Sequence, residues 1–414
     1  MANVPVYDMN GTQVQGISDC SCFTVMPDYT KAKLGDIFYS DGSFSTEQAL
    51  NPATALEGLA GEVLTTIVPQ KDDAGYYLIT NPKQFVAYRA FVNELDNTLK
   101  GKLVNDVDMT GIGMQPFTPN KVYSGTFDGQ GNALENVTIS HYGEMHTALF
   151  FELQDATVKN LKLTGEYYGD QQRMAGLAAW TSGTTTIDNC EIAVALYSEK
   201  EGDGTHGGVM AVHGRGGNCT VNNCLVACKF IGENTFSVGG VCGWRDATLN
   251  VKNTLILSEY DLAAEPASYP SSIVSRNGYT DGGNVFYAMQ AKREGIIDQG
   301  TPATAEQLQS GEVCYKLNGD QTAINWFQTL GQDEHPMLFE GHKQVFYDEA
   351  RGYYNEGDAL RGDLNGDGKV DIADAVTVLN IMAASEYSAD ADINEDGKVD
   401  IADFVSILNI MAAQ

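Results

Sequence analysis

Two stretches near the C-terminus hold the densest oxygen chemistry in the chain, DLNGDGKVDIAD from Asp363 to Asp374 and DINEDGKVDIAD from Asp392 to Asp403. The twelve-residue pattern recurs after 29 residues, with oxygen-bearing side chains at positions 1, 3, 5, 9 and 12. Ca2+ is a hard cation that takes about six to eight oxygens, and a loop of this kind supplies them by wrapping around the ion. The first loop offers Asp363, Asn365, Asp367, the Lys369 carbonyl, Asp371 through a water, and Asp374. The second repeats this with Asp392, Asn394, Asp396, the Lys398 carbonyl, Asp400 and Asp403, so two Ca2+ ions are expected. Gly368 and Gly397 stand at position 6, where the chain turns sharply. Clustered carboxylates repel one another without a cation, so folding of this region is expected to depend on calcium.

Each loop runs into a helical pattern, with Val376, Leu379 and Met382 after the first and Val405, Leu408 and Met411 after the second. These rows are expected to pack on each other. Two loop-helix repeats that close on Asp, with no good helix before the first, resemble a dockerin domain more than an ordinary EF-hand. The resemblance implies docking to a cohesin-type partner, and delivery of the attached domain to a polysaccharide-degrading or cell-surface assembly. Positions 10 and 11, which recognise the partner in that family, are Ile372-Ala373 and Ile401-Ala402 here. Because the pairs are identical, a partner is expected to dock in either of two orientations.

Further upstream, Trp180, Val212 and Trp244 each lie four residues after a recurring Gly, followed by Thr181, His213 and Arg245. On stacked coils these would form one stripe, with Trp180, Trp244, His213 and Arg245 suited to the apolar faces and hydroxyls of sugar rings. The alternative is that the tryptophans pack beneath loops and His213 is an ordinary surface residue. The Asp clusters of β-helix hydrolases and the basic sites of lyases are not visible, and His213-Gly214-Arg215 is only a weak echo. Cys190 and Cys224 are expected on neighbouring coils, close enough for a bridge, with a reduced buried stack favoured.

The elements that position these groups read as a solenoid. Asn136, Asn160, Asn189, Asn223 and Asn253 recur in ENVTI, KNLKL, DNCEI, NNCLV and KNTLI at intervals of 24, 29, 34 and 30 residues. Each precedes a short strand, and Ala175-Gly176-Leu177, Gly207-Gly208-Val209 and Gly239-Gly240-Val241 mark a second strand per turn. This periodicity indicates a parallel β-helix with an Asn ladder at one corner, wound right-handed as parallel crossovers are. Asn81-Pro82-Lys83-Gln84 opens a capping helix carrying Phe85, Tyr88, Val92 and Leu95, and Thr304 to Gln307 forms a second capping box.

A net charge of -30 with no basic run disfavours nucleic acid and anionic membranes. No apolar stretch reaches the roughly 20 residues of a membrane span, and the expected location is secreted or cell-surface, with a signal peptide removed before this numbering. The stretch from Phe85 to Tyr347 also resembles right-handed β-helix, GLUG-like surface proteins common in Bacteroidetes. That resemblance rests on FVNELDNTLKGKLVNDVDMTG, SGTFDGQGNALENVTI and INWFQTLGQDEHPML, and implies surface exposure. The expected fold is mainly β, with a small N-terminal β unit at 1–75, a β-helix with terminal caps at 76–348, a linker at 349–361 and an α-helical dockerin-like module at 362–414. The favoured function is a docked binding subunit whose β-helix takes glycan. A polysaccharide hydrolase or lyase, and an adhesin for host protein, are the competing classes.

Overall fold

The computed structural model describes residues 68–114, 116–117, 122–140, 146–170, 172–199, 204–232, 237–262, 270–288, 295–339, 341–349, 351–356, 361–366 and 369–413. Most of the small unit expected at 1–75, including LGDIFYSDGSFS, Cys20 and Cys22, lies outside the described residues. The chain divides into two compact units, one ending at Pro302 and the other running from Ala303.

The first unit is a parallel β-solenoid of about five turns. One face stacks Thr126–Asp128, Thr157–Lys159, Ala178–Asp188, Met210–Asn222 and Thr248–Lys252, all parallel. A second stacks Ala133–Ser140, Lys162–Gly169, Glu191–Ser198, Leu225–Val226 and Thr254–Ile256. The third is short, with Arg173–Ala175, Thr205–Gly207 and Ser237–Gly239. Period-two alternation sets what faces inward, as in Glu191–Ser198, where every second residue is buried. Register turns that alternation into columns. Phe127, Val158, Ile187, Val221 and Val251 form one fully buried row. Leu134, Leu163, Ile192, Val226 and Ile256 form another. No coil closes a core alone, so the stack is the unit of stability. On the third face the backbones approach so closely that a Cβ at Gly208 would stand 2.1 Å from the Gly240 carbonyl oxygen, which explains the glycine row.

The Asn ladder is present, one rung out of step with its first expected member. Asn160, Asn189, Asn223 and Asn253 turn a corner in the left-handed region, with φ between 47 and 52°. Asn284, at φ 57°, continues the row. Asn189 Nδ2 donates to Asn160 Oδ1 (2.9 Å), and Asn160 Nδ2 to Asp128 Oδ1 (2.9 Å). Further along, Asn284 Nδ2 donates to Asn253 Oδ1 and Asn253 Nδ2 to Asn222 Oδ1, both 3.1 Å. Asn136 is not part of this corner. It is itself left-handed at φ 55°, but it lies within Ala133–Ser140 at a register shift and donates to Asp108 Oδ1 (2.9 Å), while the corner of its coil is made by Gln130, also at φ 55°. Counting back from Asn160 to Gln130 gives 30 residues, in line with the later intervals, and the anomalous interval of 24 marked the mismatch.

Helix α1 (Pro82–Glu94) caps the first coils, with the Asn81 side chain accepting from Gln84 N at 3.0 Å. Its Phe85 and Tyr88 pack against Phe117 and Phe127, and the Tyr88 and Tyr123 hydroxyls meet at 3.0 Å.

The second unit starts with α2 (Ala305–Gln309), entered through a Thr304–Gln307 capping box, and α3 (Glu312–Asn318). These pack around fully buried Trp326, Leu317 and Cys314. A hairpin pairs Val345–Asp348 with Gly352–Asn355, so part of the segment read as linker is strand. Helices α4 (Ile372–Ala384) and α5 (Ile401–Ala413) follow. Their shared core is Val370, Ala375, Val378, Ile393 and Ile407, with Met382, Phe404 and Met411 at its margin. Of the rows expected to pack together, only the methionines do so. Val376, Leu379, Val405 and Leu408 are exposed, because the loops set the helices with their Ala375 and Val378 side inward.

Candidate functional site

Both acidic loops feed directly into helix starts, and their last two acidic positions are built into the caps. Asp371 is the N-cap of α4, its Oδ1 accepting from Ala373 N at 2.7 Å. Asp374, fully buried, accepts from Leu364 N and Asn365 N on Oδ1 (2.8 and 3.1 Å) and from Asp371 N on Oδ2 (2.8 Å). Loop start and helix start are thereby tied by one carboxylate. The second repeat is the same, with Asp403 fully buried and accepting from Asn394 N (3.1 Å) and Asp400 N (2.8 Å). Asp400 Oδ1 accepts from Ala402 N at 2.8 Å. Asp at position 12 rather than Glu suits this double role, since the shorter side chain closes a capping box as N3 of the helix.

The remaining positions lie along the loop edge. Asp363 Oδ1 accepts from Gly366 N at 2.8 Å. Asp392 accepts from Asp396 N and Gly397 N (3.0 and 2.9 Å) and from the Tyr387 hydroxyl (3.3 Å). Asn394 Oδ1 also accepts from Asp396 N, and Asp396 Oδ1 from Lys398 N, both at 3.0 Å. Position 4 turns through the left-handed region in both repeats, Gly366 at φ 73° in one and Glu395 at φ 60° in the other. Asp367 and Gly368 lie outside the described residues. Among the described residues no three His, Cys, Asp or Glu side chains converge on one point. The donor set is nonetheless entirely oxygen, in the order that suits a hard cation, and no thiol or imidazole intervenes.

Next to the loops stands an apolar face. Ile372 and Ile401 are 62 and 59% exposed, each the first residue of its helix, with Ala373 and Ala402 exposed beside them. Val376 and Leu379 extend the row on α4, and Val405 and Leu408 on α5. The sequence reading missed these four as surface residues. Their signal was present, because Ile372, Val376 and Leu379 follow i, i+4, i+7 spacing while Ala375 and Val378 occupy a separate stripe beside it.

On the solenoid, the expected stripe exists in register but is largely engaged. Trp180, Val212 and Trp244 align on successive coils, as do Thr181, His213 and Arg245. His213 is fully buried, with Nδ1 3.0 Å from Thr181 Oγ1 and 3.2 Å from the Thr181 carbonyl oxygen, and burial pushes its pKa below the ordinary value. Arg173 and Arg215 place their guanidinium groups 4.7 and 4.5 Å from the Trp180 ring centre. Arg215 also bonds both oxygens of buried Glu152 (3.1 and 3.0 Å). Arg245 bonds the carbonyls of Gly278 and Ala247. Cys190 and Cys224 are free, buried and on adjacent coils, their sulfurs directed at the carbonyls of Asp188 (3.3 Å) and Asn222 (3.2 Å).

Fold and site define a β-solenoid joined in sequence to a paired-loop, two-helix module. Residues 361–411 match the dockerin type I domain, and that region is a dockerin. Such domains bind calcium and imply a cohesin partner. They are typical of extracellular or cell-surface proteins, and among the described residues no helix is long and apolar enough to cross a membrane. No curated protein matches the chain. Among solved structures, it is similar to a candidate immunoglobulin A1 protease from Bacteroides ovatus, with 16% identity, 65% of this chain and 93% of that one covered, and a TM-score of 0.39. A second similarity, to an IgA1 protease, has 14% identity, covers 55% of this chain and 20% of that one, and has a TM-score of 0.37.

Proposed function

We propose that this chain is a secreted or cell-surface binding subunit, held in an assembly by its dockerin, which takes two calcium ions and presents Ile372, Ala373, Ile401 and Ala402 to a cohesin-type partner. The observation that carries this reading is the exposed aliphatic row duplicated on α4 and α5 at the same offset from each loop. Six large apolar side chains facing solvent on two short helices are a liability unless a partner covers them. Asp363, Asn365, Asp367, the Lys369 carbonyl, Asp371 and Asp374 would hold one ion, with the matching six residues from Asp392 to Asp403 holding the other. Calcium supplies the positive charge that draws each loop together. The chain's own contribution is to orient the oxygens and to start each helix at the loop's last acid.

Because the two rows are near-copies, the partner would have two equivalent ways to sit. For the solenoid, glycan remains the ligand class this reading favours, supported by the shared register of Trp180 and Trp244 and weakened by the burial of His213. The test is binding of the immobilised full chain to a panel of type I cohesins, with calcium and with chelator. Ile372→Arg or Ile401→Arg alone should weaken capture about twofold, while the pair together abolishes it. A single variant as defective as the double would end the two-orientation idea, and capture that ignores chelator would end the docking idea.

A further inference from the structure

We propose that the second unit carries a separate carbohydrate platform built from Tyr315, Tyr347 and Tyr353, with a neutral polysaccharide as its ligand. The proposal goes beyond the docking reading and does not depend on it, since none of the three residues belongs to α4, α5 or the acidic loops.

The three rings form one cluster, with centres 5.8 Å apart for Tyr315 and Tyr347, 5.8 Å for Tyr315 and Tyr353, and 4.9 Å for Tyr347 and Tyr353. Their planes are tilted by 46 to 52°. Cross-strand pairing in the hairpin accounts for Tyr347 beside Tyr353. It does not account for Tyr315, which arrives from α3. Nor does it explain why Tyr315 and Tyr347 stay 41 and 48% exposed. Backbone fixes the group, because Tyr347 and Tyr353 are held by strand pairing and the Tyr353 Cβ lies 3.4 Å from where a Cβ on Gly311, at the start of α3, would stand. Such a surface meets a ligand with little further ordering, which matters for weakly bound sugars.

Two observations favour sugar over protein. The docking face of the same unit is aliphatic throughout, whereas this cluster is purely aromatic, and each ring ends in a hydroxyl that donates and accepts hydrogen bonds. The Lys316–Glu312 ion pair on α3 acts electrostatically on Tyr353 and so lies beside the cluster, a donor and an acceptor for sugar hydroxyls. The apolar C–H face of a pyranose can lie on one ring while its hydroxyls reach that pair. A chain with net charge -30 repels polyanions at long range, which selects a neutral glycan.

Affinity electrophoresis of the calcium-loaded full chain tests this, in gels containing xylan, mixed-linkage β-glucan, galactomannan or polygalacturonate. Retardation is expected in at least one neutral gel and absent in polygalacturonate. Tyr315→Ala with Tyr347→Ala should reduce that retardation at least tenfold, and Tyr347→Phe should retain most of it. An unchanged melting curve for the alanine pair, or for Tyr347→Ala alone if the pair unfolds, ties the loss to the platform. Migration unaffected by every neutral polymer would overturn the proposal, as would retardation undiminished in folded alanine variants or retardation confined to polygalacturonate. None of these outcomes bears on cohesin capture, so the platform and the docking face stand or fall separately.

Discussion

Asp396→Asn separates the metal-binding role of a loop from its structural role. Asp396 is exposed; the bond its Oδ1 accepts from Lys398 N at 3.0 Å can be made equally by an asparagine oxygen, and only the exposed contact of Oδ2 with Asn394 Nδ2 (3.3 Å) is lost. With chelator present the substitution should therefore change stability by less than about 0.5 kcal/mol, the usual range for a surface change. Calcium alters the comparison. At free calcium about a hundredfold above the wild-type Kd, binding to the native state alone stabilises by about 2.7 kcal/mol. If loss of one carboxylate weakens the site about a hundredfold, the same relation leaves the variant only about 0.4 kcal/mol, a deficit of about 2.3 kcal/mol that appears with the metal. Asp403→Ala is the contrast. It removes a buried acceptor of two backbone N–H groups and should lose about 3 kcal/mol even in chelator, since charge-assisted bonds are worth roughly 1.5 to 3 kcal/mol each. Urea unfolding of the full chain, followed by far-UV circular dichroism for helix content, reads both effects. An Asp396→Asn deficit of equal size with and without calcium would refute the assignment of that residue as a ligand.

Asn253→Ala should destabilise the solenoid by about 3 kcal/mol, part from holding a Cβ residue at φ 47° and part from the two ladder bonds it breaks, whereas Asn253→Gly should recover about 1 to 2 kcal/mol of that. Equal losses in denaturant titrations of the two variants would show that the left-handed corner is not under strain. His213, with its pKa depressed by burial, binds fewer protons folded than unfolded, so its contribution is complete above about pH 6.5 and is lost as pH falls below that value. Melting temperatures between pH 7.5 and 5.5 should fall less steeply for His213→Gln than for wild type, and parallel slopes would count against this. Cys190 and Cys224 should remain thiols, their buried sulfurs resting on carbonyl oxygens, so intact mass is expected to be the same with and without reductant. A gain of two hydrogens on reduction would establish a bridge.

The parts of this fold that were legible in the sequence are those where one residue type answers one local demand. Asn tolerates the left-handed corner better than any other residue with a side chain, so Asn160, Asn189, Asn223 and Asn253 announced the solenoid, and Asn160, Asn189 and Asn253 also bond to a neighbouring coil. Where the demand was met differently, the reading slipped. Gln130 turns the corner in the coil before Asn160, whereas the sequence pattern points to Asn136, six residues later and left-handed as well, at φ 55°. Burial was less readable than register. The alignment of Thr181, His213 and Arg245 follows from counting, but whether His213 turns inward against Thr181 or out to solvent is a matter of side-chain direction, which spacing does not encode. The same limit applied to the helices. Hydrophobic rows on both stripes of α4 and α5 left two candidate inner faces, and only the geometry of the preceding loop selects between them.

On the proposed reading, that selection would link calcium to docking. Ile372 directly follows Asp371, the N-cap of α4, and Ile401 directly follows Asp400, which stands at the same place before α5. Asp374 and Asp403, the closing acids, bind the backbone amides of those capping residues and of the loop's opening turn together. Whatever draws the loop's oxygens inward therefore also fixes where the helix begins and which stripe faces the core. A loop that opens releases the cap, and with it the position of the isoleucine on the proposed docking face. Calcium need not touch the partner to control its binding, because the ion would act through the first turn of each helix. The dependence should be reciprocal, since a partner that binds only the ordered face raises calcium affinity by the same factor that calcium raises its own.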